Sequence, residues 1–180
     1  MTDFVQSRNT GETANRTLLH DEFQTLFGAA YGPVVRTVWL VTHDWAVAEE
    51  VTQEAFVELY RRWSRVRTYD RPDLWVRRVA IRKAQREAAR AGRRTLLERS
   101  SAEVAVEAAT EETDPALVAA IRMLSPRQRA VVVLFYLEDR PMAEVADLVG
   151  CSASTGFVHL HRARHRLAEI LGEEVGDHVD

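Results

Sequence analysis

The last third of the chain constrains its fold more than any other part. It runs Leu124-Ser-Pro-Arg-Gln-Arg-Ala-Val131, then Met142-Ala-Glu-Val-Ala-Asp-Leu-Val-Gly-Cys-Ser152, then Leu160-His-Arg-Ala-Arg164. Short helical segments, a glycine-containing turn and a basic final segment, in that order, spell a helix-turn-helix. The helix starts carry their own signals. Ser125-Pro126-Arg127-Gln128 is a capping box with proline at the first helical position and glutamine at the third. Ser152, just after Gly150 and Cys151, stands where it can cap the last helix.

The rest of the chain shows the same period. Val34, Val35, Val38 and Trp39 recur at helical spacing, then Val51, Ala55, Leu59 and Trp63, then Trp75, Val76, Val79 and Ala80. Pro72 opens an arginine-rich segment, and Asp114-Pro115 repeats the order of cap then proline. Strand patterns are absent, so the expected class is all-α, with two small helical domains. The predicted boundaries are a disordered N-terminus at 1–17, a first domain at 18–97, an acidic flexible linker at 98–115, a second domain at 116–172 and a tail at 173–180. Val104 and Val106 are the linker residues able to dock on a core.

Charge is distributed unevenly. The whole chain carries a formal −3. Between Arg61 and Arg99, however, fourteen basic side chains face four acidic ones, a net of +10. From Glu103 to Asp114 there are five acids and no base. Local fields rather than the total decide where phosphate binds. Arg78, Arg82, Arg86 and Arg90 are spaced by four and form one helical stripe. Like charges at that spacing repel unless an anion is near, which favours a nucleic-acid backbone over a merely solvated face. Trp63, Tyr69 and Trp75 accompany the stripe and could stack on unpaired bases or fill a core.

Other clusters are less specific. Glu50 and Glu54 share a helical face with Gln53 and Glu58 nearby. No histidine joins them to make an acid–base site, so a protein-docking face or a solvated face is the reading. His161, His165 and Glu169 form a four-residue ladder that metal could use, but His and Arg aimed at phosphate serve that helix better. The single cysteine excludes an intramolecular disulfide and a Cys-rich zinc module. No nucleophile elbow, phosphate-binding glycine loop or dinucleotide fingerprint is present, so no catalytic residue, metal or cofactor is assigned. No apolar run is long enough to cross a membrane, and the polar first residues lack a signal core, so a cytoplasmic chain without membrane insertion is expected.

These residues, taken together, resemble the extracytoplasmic-function (ECF) group of bacterial RNA polymerase sigma factors, within the sigma-70 family. The resemblance spans Asp21 to Leu171. It rests on Ala48-Glu-Glu-Val-Thr-Gln-Glu-Ala-Phe56, Arg62-Trp63, Trp75-Val-Arg-Arg-Val-Ala80, Leu124-Ser-Pro-Arg-Gln-Arg-Ala130, Ala143-Glu-Val-Ala146, Gly150-Cys-Ser152 and Leu160-His-Arg-Ala-Arg164. Each piece alone is weak, whereas their order is specific.

The resemblance implies a non-enzymatic subunit that directs core polymerase to promoters and helps melt them. It implies that Glu49, Glu50, Gln53, Glu54 and Phe56 dock on the coiled coil of the polymerase's largest subunit. Trp63, Val66, Arg67, Tyr69, Trp75, Arg78, Arg82 and Arg86 would meet minus-ten DNA, with flipped bases held by the loop around Val66 to Tyr69. The helix-turn-helix would bind the polymerase flap. It would read the minus-thirty-five element through Ser154, Thr155, Phe157 and His159, with Arg162, Arg164 and Arg166 on phosphates. An anti-sigma factor is the expected restraining partner.

Two positions depart from the family pattern. Gly156-Phe157-Val158 replaces the usual basic and hydroxyl residues early in the recognition helix, and Gly there costs up to about 1 kcal/mol relative to Ala. Phe157 can contact a thymine methyl but cannot donate to guanine. Arg82 stands where the family often has Asn. Two rival readings stay open: a sigma-like DNA-binding regulator that does not support initiation, and a small helical metalloenzyme built on the histidine ladder.

Overall fold

The computed structural model describes the backbone of residues 3–97 and 115–172, and the side chains of 17–93 and 115–172. The predicted linker, with Val104 and Val106, and the predicted tail lie outside the described residues, apart from Pro115. Every regular element among the described residues is helical, as the periodicity predicts.

The first domain is built from α1 (Asp3–Thr42), α2 (Trp45–Arg61), the single turn α3 (Trp63–Val66) and α4 (Pro72–Leu97). Helical backbone thus reaches back to Asp3, through most of the stretch for which polar composition predicts disorder. The physical reason is cooperative: once α1 is nucleated downstream, each further residue adds a hydrogen bond without a new nucleus. Asp44 ends the α1–α2 corner by accepting from the Val47 amide at 3.0 Å. Val34, Val38 and Val41 of α1 meet Val51, Ala55 and Leu59 of α2 and Val76, Ala80, Ile81 and Ala84 of α4 in a closed apolar core.

The second domain contains α5 (Pro115–Arg122), α6 (Pro126–Val132), a π-helical turn (Val133–Leu137), α7 (Met142–Val149) and α8 (Ala153–Leu171). The capping box at Ser125 forms in both directions, with Ser125 N donating to Gln128 Oε1 at 3.0 Å and Gln128 N to Ser125 Oγ at 3.4 Å. Ser152 caps α8 through the Thr155 amide at 3.2 Å. Gly150 lies between α7 and α8 at φ +85°, a left-handed conformation that favours glycine. These three features make the helix-turn-helix that the sequence spells.

Gly156, odd in the sequence, has a packing role. A Cβ there would lie 2.5 Å from Met142 Sδ and 3.8 Å from Ala146 Cβ. The first turn of α8 therefore seats directly on α7, and the intrinsic helix penalty of glycine is offset by that close approach.

The two domains pack together. Their buried apolar residues form one continuous cluster from Phe23 to Ala163. Arg129 of α6 reaches across to α1, donating from Nη1 to the Val41 carbonyl at 2.6 Å and from Nε to the Leu124 carbonyl at 3.0 Å. A guanidinium on a last-turn carbonyl of α1 also suits the negative end of that helix.

Candidate nucleic-acid interface

The arginine stripe of α4 lies where the two domains meet. Pro72 and Asp73 at its start supply the fixed φ and the acidic first turn that favour initiation, and Asp73 holds Arg71 through a two-point contact of 3.0 and 3.1 Å. Downstream, the apolar face of α4 is fixed in the core by Val76, Ala80, Ile81 and Ala84. That fixes the azimuth of Arg77, Arg78 and Arg82, which turn toward the second domain.

Each of these arginines meets an oxygen of that domain. Arg77 Nη1 lies 2.9 and 3.1 Å from the two Glu138 carboxylate oxygens. Arg78 pairs with the Asp147 carboxylate. Arg82 Nη2 donates to the Asp147 carbonyl at 3.1 Å, and Gln85 Nε2 to the Val149 carbonyl at 3.4 Å. The left-handed Gly150 permits the approach, since a Cβ there would sit 3.1–3.3 Å from the Arg82 guanidinium.

Glu138 is the centre of the seam. The π-helical turn ends on its amide, which donates to the Val133 carbonyl five residues back at 3.1 Å, and the left-handed Asp139 (φ 49°) turns the chain away. Its carboxylate accepts from Arg77, Arg140 and Thr37. Only 11% of the Arg77 side chain and 18% of the Glu138 side chain stay exposed. Burial pulls the Arg77 guanidinium below the ordinary arginine range, with the charge of Glu138 opposing it. Sequence reasoning missed both Glu138 and Arg77. The signal available was an acid directly after an unbroken apolar run.

His43 occupies the neighbouring part of the seam, at the end of α1 with φ 55°. Burial first, then the charges of Arg129 and Arg122, lower its pKa to about 4. Its Nε2 is buried with no hydrogen-bond partner.

Other residues of the predicted minus-ten set separate into two groups. Trp63 and Val66 are core residues, and Trp63 Nε1 donates to the Leu19 carbonyl at 2.9 Å, so neither offers a face to a base in this form. Tyr69 is 41% exposed. Arg67 is held by Glu22 through contacts of 2.7 and 3.0 Å, Trp75 is half-buried beneath Arg62, and Arg86 is exposed. Arg86 lines a cleft of about 780 Å³ between the domains together with Arg82, Arg127 and His159.

The predicted docking face on α2 is open. Glu49, Glu50, Gln53 and Glu54 are exposed, with Glu54 taking Lys83 at 2.6 Å, whereas Phe56 is buried among Phe27 and Tyr31. Val57 and Tyr60, which the sequence did not single out, continue this face as exposed apolar groups beside a groove lined by Phe23, Phe27, Tyr31 and Gln53.

On α8, Ser154, Thr155, Phe157, Val158, Arg162 and Arg166 are exposed, His159 and Arg164 are half-buried, and Arg166 pairs with Glu169 at 2.9 Å. The ring centroids of His161 and His165 lie 4.3 Å apart. No group of three potential ligands among the described residues is arranged to hold a metal ion. No helix among them is long and apolar enough to cross a membrane.

Comparisons with known proteins agree with this geometry. Residues 26–94 match the family model of sigma-70 region 2, and residues 115–167 match that of sigma-70 region 4. RNA polymerase sigma-E factor of Streptomyces antibioticus is 33% identical over 156 residues, covering 83% of this chain and 84% of that one. Its namesake in Streptomyces coelicolor is 30% identical over 152 residues, with 83% and 86% covered. The sigma factor RpoE from Bartonella quintana, solved in complex with the anti-sigma factor NepR, shares the fold at a TM-score of 0.70 and 18% identity, covering 86% of this chain and 99% of that one. Both sigma-70 regions in one short helical chain, in this order and at this level of identity, place the protein in the sigma-70 family, as an extracytoplasmic-function sigma factor for promoter-specific initiation.

Proposed function

We propose that this chain binds core RNA polymerase through the α2 face, reads two promoter elements and assists melting of the minus-ten element. The observation that carries the reading is the pairing, on one chain, of an arginine stripe on α4 with a helix-turn-helix whose α8 opens on exposed Ser154, Thr155 and Phe157. Phosphate contacts from Arg78, Arg82 and Arg86 would position the melted strand, and Arg67, Tyr69 and Trp75 would meet its bases. Unstacking costs a few kcal/mol per step, while stacking returns about 1–3 kcal/mol per base. Two anchored elements on polymerase offset that cost better than one.

The exposed Glu49, Glu50, Gln53 and Glu54, with Val57 and Tyr60 beside them, suit a polar-rimmed docking surface for the coiled coil of the largest subunit. The second domain would engage the flap and set Phe157 against a thymine methyl in the minus-thirty-five major groove. A protein of the anti-sigma class is the proposed restraint and the cytoplasm the proposed location, and no cofactor or catalytic step enters the reading.

The test is to combine the purified chain with core polymerase and a pool of genomic promoter fragments, then sequence the transcripts. Discrete starts sharing two upstream elements are expected. No binding to polymerase would overturn the reading in favour of a free DNA-binding regulator.

A further inference from the structure

We propose that the cleft between α4 and the helix-turn-helix is a binding site for a small organic phosphate of nucleotide size. Neither polymerase docking nor promoter reading involves such a ligand, so the inference goes beyond the proposed function. The cleft holds about 780 Å³, and small-molecule pockets run from about 300 to 1,000 Å³. One wall comes from α4, another from the start of α6, and a third from α7, the turn after it and His159 of α8.

Charge selects the ligand class. Arg82, Arg86 and Arg127 border the cleft against one acid, Asp147, which leaves a surplus of two positive charges. Asp147 is already paired with Arg78, and Arg82 already donates to the Asp147 carbonyl. Arg86 and Arg127 are different: among the described residues neither side chain has an ion pair or a hydrogen bond. They stand on separate walls, so their donors are left for a ligand. A guanidinium fork matches phosphate oxygens two at a time, and a multiply charged phosphate balances the surplus.

The rest of the lining argues against a bare ion. Ala89, Pro126, Ala146 and Val149 give an apolar surface that inorganic phosphate would leave uncovered and that a base or sugar face would bury. His159 borders the same cleft, and its Nε2 is buried with no hydrogen-bond partner. A buried polar atom of this kind calls for a partner from outside the chain. Burial first, then the charges of Arg127 and Arg162, hold His159 below the ordinary histidine range, so its ring is mostly neutral at pH 7 and keeps one N–H to donate. The Arg127 charge acts on Cys151 as well, which places this guanidinium near both residues.

The experiment uses the full chain with ATP, pyrophosphate and inorganic phosphate as probes. Calorimetric titration gives affinity and stoichiometry. Cys151 is the only cysteine and borders the cleft, so its alkylation rate with and without each probe reports occupancy at this place. Expected are saturable one-to-one binding of ATP, slower alkylation of Cys151 at saturation, and pyrophosphate weaker than ATP by about tenfold. R127A should weaken ATP by about tenfold. R36A, which removes an exposed arginine of α1 that does not line the cleft, should leave ATP binding unchanged. A89F fills the cleft from a half-buried wall position without changing charge, and should remove the protection of Cys151 by ATP.

Absence of saturable ATP binding would overturn the proposal, as would equal losses in R127A and R36A or pyrophosphate binding as tightly as ATP. A short single-stranded DNA that protects Cys151 where ATP does not would also overturn it, and would assign the cleft to a nucleic-acid backbone instead.

Discussion

The two basic helices of this chain are presented in opposite ways. The first two turns of α8 face outward, with Ser154, Thr155, Phe157 and Val158 exposed. Arg77, Arg78 and Arg82 of α4 are matched instead by oxygens from the other domain. The same chain thus leaves the start of α8 open while the start of α4 is engaged internally. The difference follows from chemistry. The small and apolar side chains at the start of α8 carry no charge for an internal partner to neutralise. The α4 stripe carries like charges at four-residue spacing, and any nearby carboxylate relieves their repulsion. The acids of the second domain are close enough to do so.

Arg77→Ala should break this comparison hardest. It leaves Glu138 nearly buried with Arg140 as its remaining cation, and removing one partner of a buried pair costs about 3 kcal/mol. Chemical denaturation should show a loss of that order. Arg166→Ala on the open helix, which breaks only an exposed pair with Glu169, should change stability by less than about 0.5 kcal/mol.

The seam should also respond to acid. His43 titrates near 4 in the folded chain and near 6.5 when unfolded. Below about 6.5 the unfolded state therefore binds more protons, and stability falls as pH drops from about 6.5 toward 4. At pH 5 the loss from this residue should be about 2 kcal/mol, because protonation would place a charge in a buried position and, secondarily, beside Arg129 and Arg122. His43→Gln should flatten that part of the stability-against-pH curve. A curve unchanged by the substitution would remove His43 from the seam's energetics.

What was legible in the sequence follows the same division. Local signals sufficed wherever a residue acts on its own helix: Pro72 opening α4, the Ser125 capping box, Ser152 before α8, and the apolar period throughout. The stripe of Arg78, Arg82 and Arg86 was legible because its spacing is local. The seam was not, since Arg77 and Glu138 lie 61 residues apart and no short-range pattern couples them. The π-helical turn was hidden for a related reason: Val131 to Leu137 reads as an unbroken apolar run, which does not encode an extra residue per turn. Gly156 stood out as an anomaly, but its cause, Met142, is a residue of another helix.

Gly156→Leu sharpens the comparison from the other side. A side chain there must displace the Met142 thioether and crowd Ala146 between α8 and α7, and overpacking of this kind costs about 1–3 kcal/mol. The midpoint of thermal unfolding should fall, with binding to duplex DNA weakened alongside. Retention of full stability would mean that Met142 repacks freely and that the glycine has no packing role.

Phe157→Ala carries the smallest effect on the fold and the most specific one on function. Phe157 is 54% exposed on the first turns of α8, so its loss should change stability by less than about 0.5 kcal/mol. If it meets a thymine methyl, selection of binding sites from a random duplex pool by polymerase carrying the variant should lose preference at one minus-thirty-five position. A good base contact discriminates by about 1–3 kcal/mol, and an apolar one belongs at the low end. Phe157→Arg should move the preference toward guanine and steepen the salt dependence by about one phosphate's worth if the new cation reaches the backbone instead. The two substitutions separate base reading from phosphate holding on the open helix.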